Sequence, residues 1–208
     1  WDEDLVSRAG EAAAAEVKEN NISVWLAPAV NIHRSPLCGR NFEYDSEDPL
    51  LAGKIAAAMV RGIQSRHIAA TVKHFACNNK ETNRKNSDSR LSQRALREIY
   101  LRPFEIVIRE AGPRAVMSSY NIINGRRASE SRELLTDILR EDWGYTGMVM
   151  TDWWTKGEHY KEILAGNDLK MANGYPERVR QALDLGLVSR EDLETCARRV
   201  LELILKID

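Results

Sequence analysis

The chain has 208 residues, with 30 Lys and Arg against 31 Asp and Glu, a net charge of -1, 43% hydrophobic residues and 7% aromatic ones. This is the composition of one globular domain with a sizeable core, and the balanced charge offers neither the basic field that attracts nucleic acid nor a charged interaction tail. No stretch approaches the ~20 apolar residues that cross a bilayer and no charged-then-apolar leader opens the chain, so the expectations are no nucleic acid, no membrane and a cytoplasmic location.

From Asp2 to about Asn20 the chain is rich in Ala, Glu and Lys at helical spacing, which predicts an amphipathic helix. Ile22 to Val30 is uncharged and rich in β-formers, a pattern that predicts a strand buried on both faces. Asp48 and Pro49 then open a helix to about Arg66, and Ile68 to Val72 forms a second apolar run. A third helix spans Ser92 to Ala111, kinked or split by Pro103. Ala115 to Met117 predicts a third strand, Ser131 caps a helix ending at Gly144, and Gly147 to Thr151 predicts a fourth strand. Asn167 to Met171 predicts a short fifth strand, and two helices close the chain, the second opened by the Ser189/Asp192 pattern of a capping box.

Such alternation is the mark of a parallel α/β sheet, open or closed into a barrel. Two long polar loops, Asn31 to Glu47 and Cys77 to Arg90, exceed the ~12 to 15 residues usual for plain connections. Cys38, Cys77 and Cys196 lack disulfide or zinc spacing and read as free thiols, and His33, His67, His74 and His159 lack metal-ligand spacing. No metal and no cofactor are expected.

Each predicted strand runs into a polar cluster: Asn31 to Arg34, Lys73-His74, Ser118 to Asn121, and Asp152 to Trp154. Parallel strands bring these ends to one face, where α/β enzymes build their sites. Taken singly, Lys73 reads as a solvent-reaching lysine, His74 as a structural histidine, Tyr120, Trp153 and especially Trp154 as core aromatics, and Asp152 as a helix cap. Together they make a cleft with hydroxyl-directed donors, an aromatic plane and one carboxylate. It carries no Gly-rich phosphate loop, so a sugar fits better than a nucleotide.

The phrases GRNFEYDSEDP (Gly39 to Pro49), TVKHFACNN (Thr71 to Asn79), LREIYLRPFE (Leu96 to Glu105), VMSSYNIING (Val116 to Gly125) and GYTGMVMTDWW (Gly144 to Trp154) stand in this order along the chain. They resemble the catalytic barrel of family 3 glycoside hydrolases of the β-glucosidase type. The resemblance implies retaining hydrolysis of terminal β-D-glucosides or short β-linked oligosaccharides. It implies Asp152 as nucleophile, Arg40, Lys73, His74 and Tyr120 as sugar ligands, Trp153 as an aromatic wall, and a cationic neighbourhood of Lys73 and Arg40 that favours ionised Asp152. A β-xylosidase or arabinosidase of the same family, or a sugar-binding or structural fragment without turnover, are the alternatives.

The family's hexosaminidase branch carries an Asp-His pair after its lysine-histidine motif. In this chain no histidine lies between His74 and His159, which disfavours that branch. In the glucosidase branch the acid/base glutamate lies on a second domain that these residues do not resemble. A closed barrel has eight βα units in about 250 residues, against roughly five predicted strands in this chain. Residues 1–208 therefore read as a partial (β/α)8 barrel, TIM-barrel-like, with the rest of the protein as its first partner and self-association through open strand edges as an expectation. Trp1 rather than Met opens the chain, which leaves an upstream leader open.

Overall fold

The computed structural model describes residues 1–207. Helix α1 (Glu3–Glu19) is capped by Asp2, whose Oδ1 accepts the Leu5 amide at 3.0 Å, and leads to strand β1 (Val24–Trp25). Asp48 accepts the amides of Leu50 and Leu51 at 2.7 and 2.9 Å and so starts α2 (Pro49–Gln64), with Pro49 where no amide is needed. Strands β2 (Ala69–Phe75) and β3 (Asp88–Ser89) follow, then α3 (Gln93–Ala95) and, after a π-wound turn over Leu96–Tyr100, α4 (Arg102–Ala111). Pro103 splits this region by sitting in the first turn of α4. Next come β4 (Ala115–Ser118), the hairpin β5 (Ile122–Ile123) and β6 (Arg126–Arg127), and a π-wound helix over Glu133–Asp142 whose Leu134 amide Ser131 caps. The rest is β7 (Met148–Thr151), α5 (His159–Ala165), α6 (Pro176–Asp184) and α7 (Arg190–Ile207).

The main sheet has the order β1-β2-β4-β7, all parallel, with Ala115 to Ser118 in register with Met148 to Thr151. Successive side chains point to opposite faces. Ala70, Val72, Val116 and Val149 pack against the helical layer with Val60, Leu101, Phe104, Leu135 and Ile138. Ala69, Ala115, Met117, Met148 and Met150 form the other face, which Leu203 of α7 covers together with Val200 and Ile207. This is a (β/α) barrel left incomplete within the described residues.

Three sequence expectations change. The first strand is cut to two residues plus a bridge from Ala29 to Lys73, because Pro28 has no amide and the Ala27 amide turns back onto Trp25 O at 2.9 Å. Trp25 is accordingly half-buried rather than enclosed on both faces. The fifth strand shrinks to one bridge, Met150 to Leu169. Side chains take the places a ladder would use: Asp168 accepts the Val149 amide at 2.8 Å and Thr151 Oγ1 accepts the Met171 amide at 3.0 Å. The hairpin and its parallel partner β3 were not anticipated, although Asn124-Gly125, both at positive φ, is the strongest short hairpin signal a sequence carries.

Two buried charge clusters brace β7. Asp168 sits between Arg140 at 2.8 Å and Arg199 at 2.9 Å, joining the strand to α7. Glu162 pairs with Lys170, and its Oε1 accepts from Ser129 and Thr155 at 2.9 and 2.7 Å, so the chain just beyond the β7 end is fixed from below.

Helices α1 and α2 cross closely because Gly62 carries no side chain: a Cβ there would overlap the Ser7 carbonyl oxygen, a backbone atom that cannot step aside. Gly62→Ala should therefore destabilise the fold by about 1–3 kcal/mol, as overpacking does. The check is a lowered thermal midpoint, with Gly174→Ala, where a Cβ meets nothing, as the neutral comparison.

Candidate active site

The C-terminal ends of β2, β4 and β7 converge with the loops from Asn31 and Cys77. Lys73 and His74 lie inside β2 rather than after it, in the stretch where the β2–β4 register shifts between Val72 and Phe75. His74 is buried at 1% exposure and fixed on three sides. Its amide donates to Asn31 Oδ1 at 2.8 Å, its carbonyl accepts from Asn31 Nδ2 at 3.0 Å, and Nδ1 lies 3.3 Å from the same Oδ1. Arg40 Nη2 stands 2.8 Å from His74 Nε2. A guanidinium can only donate, so Nε2 is the acceptor and the proton sits on Nδ1. Burial, then the charges of Arg40, Lys73 and Arg84, hold His74 well below the usual histidine range, and it stays neutral.

Glu43, at the end of a short 3-10 turn (Asn41–Glu43), pairs with Arg40 and lies 3.3 Å from Lys73 Nζ, so one carboxylate positions two cations. The turn is itself held by His33, whose Nε2 contacts the carbonyl oxygens of Asn41 and Tyr44 at 3.1 and 2.9 Å, while the Tyr44 and His74 rings meet at 75° with centroids 6.5 Å apart.

Asp152 follows β7 directly and is 6% exposed. Its Oδ1 accepts the Trp153 amide at 2.7 Å, whereas Oδ2 has no hydrogen-bond partner and lies 3.9 Å from His74 Nε2. Since α5 begins only at His159, Asp152 caps no helix. Burial raises its pKa. The Trp153 amide, the Tyr120 hydroxyl and the Arg40 and Arg84 guanidiniums pull the other way without overcoming it. The expected cationic stabilisation is therefore present in part, through Arg40 and Arg84, yet the net shift is upward, and Lys73 is engaged by Glu43 instead. Tyr120 is buried beside Asp152, with the Arg84 guanidinium 4.8 Å from its ring centroid. Burial and the neighbouring carboxylate raise the Tyr120 hydroxyl further, so it remains a donor. Trp153 is half-buried against the inner-face cluster of Met117 and Met150. Trp154, expected in the core, is 58% exposed.

All six residues picked from sequence thus come to one end of the sheet. A family model for the glycosyl hydrolase family 3 N terminal domain matches residues 1–203. The chain belongs to glycoside hydrolase family 3. Among its relatives is β-glucosidase A of Butyrivibrio fibrisolvens, 63% identical over 93% of this chain and 23% of that protein. An exo-α-(1→6)-L-arabinopyranosidase of Bifidobacterium longum is 42% identical over 99% of this chain and 27% of its own length. The solved structure of β-glucosidase 3B from Thermotoga neapolitana in complex with glucose superposes with a TM-score of 0.96 at 45% identity, covering 99% of this chain and 30% of that one. The chain spans about a quarter of the length of the curated relatives it matches.

Against this family background, two members of the site escaped the sequence reading. Glu43 stands in the GRNFEY phrase but has no signal of its own until Arg40 and Lys73 are seen on either side of it. Arg84 comes from the Cys77–Arg90 loop, which the hairpin presses onto the site: Arg127 Nη1 donates to Lys85 O at 2.9 Å, and the Gly125 amide to Asp88 Oδ1 at 3.1 Å. Cys77, in the same loop, is buried and its thiol pushed up to about 12, which suits packing rather than reactivity.

A carboxylate whose folded pKa exceeds its unfolded one opposes folding at high pH and not at low pH. Asp152→Asn should accordingly raise the thermal midpoint at neutral pH. The gain should fade as pH falls below the ordinary carboxylate range, because there the wild-type group is protonated in both states. Midpoints measured across pH 3 to 8 would check it, and a gain independent of pH would refute the burial of the Asp152 charge as its cause.

Proposed function

We propose that the protein carrying this chain is a retaining β-glucosidase with Asp152 as its nucleophile. One observation carries the reading: a buried carboxylate at a barrel strand's C-terminal end with one oxygen fixed by a backbone amide and the other free. A nucleophile needs that asymmetry, since an oxygen engaged by an ion pair would have to give up its partner before attacking. Neutral His74 lines the approach and holds Arg40 through Nε2, while Arg40, Lys73 and Tyr120 supply the donors that sugar hydroxyls accept from.

In the first half-reaction Asp152 Oδ2 attacks the anomeric carbon, the bond to the leaving oxygen breaks, and a general acid gives that oxygen its proton. In the second, water attacks the same carbon, Asp152 leaves as a carboxylate, and the group that gave the proton takes one back. Glu43, the other carboxylate of the site, is committed to Arg40 and Lys73, so we place the proton donor outside the described residues. Burial, which lifts the Asp152 pKa, also weakens solvation of the attacking oxygen. The Trp153 amide, the Tyr120 hydroxyl and the Arg40 and Arg84 guanidiniums oppose that lift, in the direction the attacking, ionised form needs. The relative named for arabinopyranoside release favours a pentopyranoside as the second reading, a sugar ring of the same size without the C6 substituent.

In the full-length protein, Asp152→Asn should lose about a thousandfold or more in turnover while still binding glucose, as expected for a nucleophile. Lys73→Ala should cost only the ~1.5–3 kcal/mol of one charge-assisted hydrogen bond. A slow fluorinated glucoside should leave its sugar on the peptide containing Asp152. Ordinary turnover by Asp152→Asn, or label on another carboxylate, would end the assignment. Nitrophenyl β-glucoside, β-xyloside and α-arabinopyranoside compared by kcat/KM decide the sugar. Arg84→Met removes a cation that lowers the Asp152 pKa, so the acidic limb of the kcat/KM profile should move to higher pH.

A further inference from the structure

Trp154 is placed where a core aromatic would be useless. It stands two residues beyond Asp152 with its indole 58% exposed, whereas Trp25 and Trp153 are half-buried and Trp143 is buried. Its backbone sits in the left-handed region at φ 53, which a large side chain rarely adopts unless the surroundings impose it. The surroundings of Trp154 are firm. Its amide donates to Met171 O at 3.2 Å, and the next residues, Thr155 and Gly157, are held by Glu162 and Lys170.

Lys85 completes the arrangement. Its Nζ lies 5.1 Å from the Tyr120 ring centroid and 6.0 Å from that of Trp154, between the inner aromatic beside Asp152 and the outer, exposed one. Lys85 makes no ion pair among the described residues, although it is half-buried. The loops carrying the two residues are tied together where Lys156 Nζ donates to Asn86 Oδ1 at 2.9 Å.

Building on the glycosidase reading above, we propose that Trp154 and Lys85 form the leaving-group side of the site. The indole serves as a stacking platform for an aromatic aglycone, and the Lys85 ammonium pairs with an anionic or acceptor substituent on it. The sugar is held by Arg40, Lys73, His74 and Tyr120 on the inner side of Tyr120. The group that departs leaves outward, past Lys85 and across Trp154. An exposed indole and an unpaired ammonium each attract an aromatic ring carrying a carboxylate, and neither has an advantage for a short alkyl group.

The test uses full-length wild type, Trp154→Ala, Trp154→Phe and Lys85→Met, with methyl, phenyl and 4-carboxyphenyl β-glucosides and with glucose as inhibitor. The kcat/KM value reports all steps up to departure of the aglycone, and the glucose inhibition constant reports the sugar side alone. Trp154→Ala should lower kcat/KM for the phenyl glucoside roughly tenfold and for the methyl glucoside less than twofold, with the glucose constant unmoved and Trp154→Phe recovering most of the loss. Lys85→Met should reduce the preference for 4-carboxyphenyl over phenyl by roughly tenfold. Equal losses on methyl and phenyl glucosides, or unchanged ratios, would overturn the proposal. So would a lowered thermal midpoint in Trp154→Ala with unchanged ratios, which would make Trp154 a packing residue against the rest of the protein. Wild type that hydrolyses none of the three glucosides would instead bring down the glycosidase reading on which this one stands, while wild-type turnover with unchanged ratios isolates the failure to Trp154 and Lys85.

Discussion

A carboxylate buried without an ion partner is costly, and the arrangement of this chain follows from keeping one in place. The Asp152 charge leaves water at the end of β7 and receives a single backbone hydrogen bond in return, from Trp153. The Tyr120 hydroxyl and two guanidiniums, near enough to act through the low dielectric but not bonded to it, add to that support. Direct pairing would stabilise the carboxylate more and leave it a poorer nucleophile. Arg40 is kept off Asp152 by having better partners, Glu43 and His74 Nε2, and Arg84 by lying across the Tyr120 face.

This division requires that each cation be oriented by something else. Glu43 orients Arg40 and Lys73, Asn31 fixes the His74 ring and its tautomer, and the hairpin carries the Arg84 loop inward. Apart from the Arg40–Glu43 pair, which is local, these supporting contacts join elements far apart in sequence: Asn31 with His74, Arg40 with His74, Lys85 with Arg127. The parallel sheet makes such contacts cheap in entropy, because strands already in register deliver their ends to one edge.

The strands that proved legible in the sequence, β2, β4 and β7, are those whose apolar runs are buried on both faces, and α2 was legible through its Asp48-Pro49 start. The first and fifth strands failed for a local reason, since apolar composition says nothing of whether amides are free to form a ladder, and Pro28, Asp168 and Thr151 divert them. Candidate site residues near strand ends, Lys73, His74, Tyr120, Asp152 and Trp153, could be placed together from the sequence because the strand itself locates them. Arg40 could be found only through the GRNFEY phrase. Glu43 and Arg84 depend on where loops settle, and that is decided by a hairpin whose Asn124-Gly125 signal is local but whose consequence, an arginine over Tyr120, is not.

The buried clusters beneath the site explain why β7 can tolerate this load. Glu162 with Lys170, and Asp168 with Arg140 and Arg199, are ion-paired groups, each tied to neighbouring hydroxyls or amides. Ion pairs of this kind add little net stability over a well-packed apolar core, because desolvation consumes most of the attraction. What they add in this fold is direction: Lys170 reaches Thr155 and Gly157, and Asp168 grips the Val149 amide, so both ends of the segment bearing Asp152 are fixed by bonds with defined geometry. Apolar packing alone would permit the strand end to shift by fractions of an ångström at small cost. In the role proposed for Asp152, a carboxylate that must meet one carbon from one face benefits from bonds that penalise such a shift, which would give these costly buried charges a reason to sit directly behind the candidate site.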